Sequence, residues 1–161
     1  MCNMYQVYSS FGGDVLRNHT VALKSCRTAN GSISGLYSVD EQIFVRDSVS
    51  RYLMNGTLTS QRVWVDGIRK AQCSQTGWQN VSECNSTNAF QFTDPTLTKL
   101  DGYVWYNSEP DGKVSINGTV ESCIQMIVTK DTSISANGKL FDVRCDLATI
   151  DIAIVCGQPP S

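Results

Sequence analysis

Two sets of side chains in this 161-residue sequence can do chemistry. The first is seven cysteines, Cys2, Cys26, Cys73, Cys84, Cys123, Cys145 and Cys156. Cysteines act as buried thiols, metal ligands or disulfides, and a reducing compartment favours the first two. No Cys-x-x-Cys pair occurs, and the single histidine, His19, is far in sequence from every cysteine except Cys26, which argues against zinc. The second set is the acids Glu109, Asp111, Glu121 and Asp142. Taken alone they read as solvated loop acids, with Asp142 bonded to backbone in a turn and Pro110 as a turn former. A glycosidase pair drawn from Glu109 and Asp111 is the weakest reading, and no catalytic residue is expected.

Six Asn-x-Ser/Thr triplets begin at Asn18, Asn30, Asn55, Asn80, Asn85 and Asn117. Together with the cysteines they point to a glycosylated chain in the secretory pathway, either secreted or the extracellular part of a membrane protein. The formal net charge of -2 offers no basic field for nucleic acid or an anionic membrane. No apolar run approaches the roughly 20 residues that span a bilayer.

The elements that must position these groups follow from periodicity. A length of 161 residues suits one domain, residues 1–161, with a core at about 8–157 and an N-terminal extension at 1–7. Met4 to Tyr8 is expected to be an edge strand before the Gly12-Gly13 turn. Asn18 or Thr20 can cap a helix running to about Asn30, with Ala22, Cys26 and Ala29 on one face. Ser38 and Glu41 form a capping box for a second helix, which carries Val45, Val49, Tyr52 and Leu53 and ends near Met54. Short strands are expected at Val63 to Val65, at Phe90 to Phe92, along Ile124, Met126 and Val128, and along Ile150, Ile152, Ile154 and Cys156. The result is an α+β domain with two helices, short and mostly antiparallel strands, and a long structured loop region. Thr93 to Ser122 is too long for an ordinary connection unless a function or a bound ion organises it.

The order and spacing of Cys26, Ser38-Val39-Asp40-Glu41-Gln42, Trp64-Val65-Asp66-Gly67, Trp105, Glu109-Pro110-Asp111, Glu121-Ser122-Cys123, Gly138 through Cys145, and Cys156 resemble the C-type lectin-like domain family over about Tyr8 to Gly157. The resemblance implies a C-type lectin-like fold, a Cys26–Cys156 bridge and a Cys123–Cys145 bridge. Loop closure by these bridges contributes about 5 and about 3 kcal/mol, before native strain is subtracted. Cys73 and Cys84 are natural partners for a third, local bridge, and Cys2 is left over, either to link a dimer or to stand as a free thiol.

Family members that bind sugar hold calcium with acidic and amide side chains. Their ligand positions fall on Glu109, Asp111, Glu121 and the pair Phe141-Asp142, with Pro110 as a cis proline. Glu109-Pro110-Asp111 matches neither the mannose-type Glu-Pro-Asn nor the galactose-type Gln-Pro-Asp. Phe141 stands where the family has an asparagine and offers no oxygen. The resemblance therefore implies a non-catalytic recognition domain that binds glycans in a calcium-dependent way, or alternatively an extracellular protein without calcium. Lys113, Ser115 and Asn117 can line a modified pocket, or a glycan on Asn117 can cover it. Trp64, Trp105, Phe90 and Phe92 are expected in the core, whereas Trp78 and Phe141 are candidates for the binding surface.

Overall fold

The computed structural model describes residues 18–75, 77–148 and 152–158, together with the backbone of 4–8. Cys2, the Gly12-Gly13 turn and Ile150 lie outside the described residues. Helix α1 spans His19–Thr28 and is capped by Asn18, whose Oδ1 accepts the Val21 N–H at 3.0 Å. Such a cap is worth about 1 kcal/mol. Helix α2 spans Val39–Asn55 and is capped by the Ser38 hydroxyl, which accepts from Glu41 N–H at 3.2 Å. The reciprocal bond of the expected box is shifted by one residue: the Glu41 carboxylate accepts from Tyr37 N–H at 2.8 Å.

Among the described residues seven strands form one sheet: β1 (Met4–Tyr8), β2 (Ser32–Ile33), β3 (Ser60–Arg69), β4 (Phe90–Gln91), β5 (Cys123–Thr129), β6 (Lys139–Val143) and β7 (Ile152–Gln158). The order is β1-β7-β3-β5-β6, with β2 on β7 and β4 on β3. Every pairing is antiparallel except β3 with β7. β3 is much longer than the three residues expected, because polar Gln61 and Asp66 are also buried within it. β6 was not anticipated as a strand.

Alternation along the strands separates two apolar clusters. Val63 and Val65 of β3, with Ala153 and Val155 of β7, pack with Val45, Val49 and Leu53 of α2. Trp64 of β3, with Ile152 and Ile154 of β7, packs with Ala22 and Cys26 of α1. Each fully buried side chain of this size contributes about 1.5–3 kcal/mol. Cys26–Cys156, Cys123–Cys145 and Cys73–Cys84 are all bridged, the last across a run of 3-10 turns between β3 and β4. No helix among the described residues is long and apolar enough to cross a membrane.

Between β4 and β5 the chain runs through Phe92 to Ser122 with no named strand, only isolated bridges from Trp105 to Leu140 and from Val114 to Val120. Asp66, buried in β3, organises the near end: it accepts from Thr93 N–H at 2.6 Å, Thr93 hydroxyl at 2.8 Å and Asp94 N–H at 2.8 Å. The far end is tied to β6 by Leu140 N–H to the Val104 carbonyl at 3.0 Å and Tyr106 N–H to the Leu140 carbonyl at 3.1 Å.

Candidate functional site

The loop carries Glu109 and Asp111 to the end of β6, where Asp142 sits. The Glu109-Pro110 peptide is cis, and oxygens of Glu109, Asp111 and Asp142 all lie within 4.8 Å of one another. Asp142 is buried; Glu109, Asp111 and Glu121 are half-buried. Glu121, expected as a fourth ligand, lies outside this trio on the other arm of the loop, its N–H donating to the Lys113 carbonyl at 2.9 Å and its carboxyl near enough to feel Asp142 and Asp111. Lys113, exposed, places its ammonium 3.5 Å from Asp111.

Desolvation, and after it the crowding of like charges, raises two of the acids. Glu109 is pushed up to about 8, first by desolvation and then by its hydrogen bond and charge interaction with Asp142. Glu121 is pushed up to about 7, by desolvation and then by the charges of Asp142 and Asp111. Carboxyls held this close favour either a shared proton or a positive partner.

A positive partner is already in place. Arg69, the last residue of β3, donates through Nη2 to Asp142 Oδ2, and both side chains are fully buried. Asp142 Oδ2 also accepts from Gly112 N–H at 2.8 Å, and Oδ1 accepts from Asp111 N–H at 3.0 Å. Arg69 Nε donates to the Glu121 carbonyl at 2.8 Å. The guanidinium lies 4.8 Å from the Trp78 ring centre and 4.9 Å from that of Phe90. Gly112 adopts φ +58°, and a Cβ there would come within 2.5 Å of the Trp78 ring, so only glycine lets the loop close on the indole.

The donors reaching Asp142 decide whether these residues suit a calcium ion. A carboxylate has about four acceptor positions, and three donors already reach Asp142. Phe141, half-buried, stacks on Tyr106 with ring centres 5.1 Å apart, so an apolar pair occupies the position where the family has an amide oxygen. Glu109, Asp111 and Asp142 are close enough to share a cation, but the group does not fit one held in the family manner: its most buried carboxylate is neutralised from within.

The reading of Asp142 as a backbone-bonded acid thus accounts for its bonds from the Asp111 and Gly112 amides, and not for its contacts with Arg69 and the Glu109 carboxyl. Trp78 is half-buried against the core, and Trp64 and Phe90 are buried, with Trp105 and Phe92 half-buried beside them. Arg69 was missed. The one hint in the sequence is an arginine directly after Ile68, shortly beyond the apolar Val63-Trp64-Val65, a place where a charge needs a partner. Asn30, Asn55, Asn80, Asn85 and Asn117 are exposed, and Asn18 is a half-buried helix cap.

Two helices, a bridged mixed sheet and a long loop that presents acids beside a cis proline define a C-type lectin-like domain. The chain belongs to the family described as C-type lectin domain-containing protein 141/158, whose model matches residues 12–157. A search of curated protein sequences finds no match. Among solved structures, the trimeric Kupffer cell C-type lectin receptor Clec4f is similar with a TM-score of 0.60 and 16% identity, over 99% of this chain and 80% of that one. A calcium-independent type II antifreeze protein is similar with a TM-score of 0.53 and 17% identity, over 95% of each chain. The cow carbohydrate-recognition domain of CD23, solved in the presence of a GlcNAc2Man3 oligosaccharide, gives 0.56 and 17%, over 99% of this chain and 89% of that one. At these identities the likeness carries the fold alone.

Proposed function

We propose that this chain is an extracellular, non-catalytic recognition domain that uses the long-loop face around Glu109, Asp111, Lys113 and Phe141, and that its recognition does not require calcium. The observation that carries this reading is the carboxylate of Asp142, spent on Arg69 and on the Asp111 and Gly112 amides. Exposed Val114 and Ile116 on the adjoining turn, beside an acidic cluster, suit a protein partner better than a sugar. The oxygens of Glu109, Asp111 and Asp142 lie within 4.8 Å of one another, closer than the roughly 5–9.5 Å of a glycosidase pair, which supports a binding role over hydrolysis. Three disulfides and five exposed glycosylation triplets support an extracellular setting.

The second reading is calcium-dependent glycan binding, favoured by the three acid oxygens within 4.8 Å. Thermal unfolding and a glycan array, each run in millimolar calcium and in chelator, separate the two. Calcium-independent recognition predicts the same melting temperature in both conditions and no chelator-sensitive glycan signal. A glycan signal that disappears on chelation would overturn it in favour of the second reading.

A further inference from the structure

Arg69 is the least expected side chain in the loop region. A buried arginine is strongly unfavourable unless its charge is matched, and here Nη2 and Nε are both bonded while Nη1 is buried without a hydrogen-bond partner among the described residues. Nη2 meets Asp142, Nε meets the Glu121 carbonyl, and the ring centres of Trp78 and Phe90 lie 4.8 and 4.9 Å from the guanidinium carbon. Through Asp142 the same guanidinium is linked to the backbone of Asp111 and Gly112. It therefore gathers the segments at 109–112, 121 and 142, the very segments that the family resemblance sends towards calcium.

We infer that Arg69 takes the structural place of the cation: the chain supplies its own positive charge, and the loop face is formed at any calcium concentration. This rests on the calcium-independent reading above and goes beyond it by naming the residue that confers it. Bonded at both Nη2 and Nε, the guanidinium is held beside Asp142, so an approaching dication meets its positive charge in a buried site, where repulsion is weakly screened. Exposed Lys113 cannot do the same, because water and salt screen it.

If Arg69 occupies the cation's place, removing its charge creates a calcium site. Arg69→Gln keeps a donor for the Glu121 carbonyl and loses the charge. Calcium titration by calorimetry, with thermal unfolding in calcium and in chelator, reads the result on the purified chain. The wild type gives no binding heat at millimolar calcium, whereas R69Q binds calcium at least about tenfold more tightly and melts higher in its presence. The double variant R69Q/D142N loses that response. An R69Q protein that folds only when calcium is supplied supports the inference equally. R69Q that is folded yet indifferent to calcium, or that folds in neither condition, overturns the inference and leaves calcium-independent recognition standing. Chelator-sensitive ligand binding by the wild type overturns the reading beneath it.

Discussion

Cys26 and Asp142 are both buried, and each draws together distant parts of the chain, but by different physics. Cys26 fixes α1 to β7 covalently across a separation of 130 residues, inside an apolar cluster with Trp64 and Ile154. Asp142 fixes the loop by charge and hydrogen bonding to Arg69, Asp111 and Gly112. The scaffold is held chiefly by a covalent bridge and apolar packing, whereas the loop region is held by groups whose charge must be balanced. Even the titratable residues differ in sign: burial lowers His19 to about 4 against the edge of Trp64, while Glu109 and Glu121 are raised.

The comparison breaks first at the covalent tie. Replacing Cys26 and Cys156 with alanine should cost about 5 kcal/mol by loop closure, measured by denaturant unfolding, and should loosen the whole sheet. If only the loop loosens, the division between scaffold and loop is misplaced.

Next comes pH, where the regions should oppose one another. His19 has its folded value below the ordinary 6.5, so its contribution is complete above pH 6.5 and falls away as pH drops towards 4, a loss of roughly 3 kcal/mol. Glu109 has its folded value above the ordinary 4.5, so its contribution is present below pH 4.5 and is lost as pH rises through 8. Stability measured from pH 4 to 9 should therefore show two limbs. His19→Phe flattens the acid limb, and Glu109→Gln together with Glu121→Gln, whose own value is about 7, flattens the alkaline one; a single variant that flattened both limbs would merge the regions.

The smallest effect sharpens the boundary. Asp66→Ala leaves the Thr93 and Asp94 amides without their acceptor, costing about 2 kcal/mol. Amide exchange should quicken at residues 93–97 while α1 keeps its protection.

What could be read beforehand follows the same division. The caps at Asn18 and Ser38, the apolar stripe on α2 and the alternation in β7 are local patterns, and the helices and most strands were expected from them. The family resemblance supplied the two long-range bridges and the cis Glu109-Pro110 peptide. β6 escaped because Lys139–Val143 is short and carries Asp142 in its interior. β3 was underestimated because buried Asp66 and Gly67 look like loop residues. Arg69 escaped for a different reason: its partner lies 73 residues away, and no local pattern marks a pairing that only the folded loop creates.

The contact between Arg69 and Trp78 also makes the chain its own optical probe. Of its three tryptophans, Trp64 is wholly enclosed by the scaffold and Trp105 donates its indole N–H to Thr87, while Trp78 has a guanidinium against its ring. Indole emission responds to a neighbouring charge. Fluorescence from Trp78 therefore reports on whether the recognition face is assembled, with no label added.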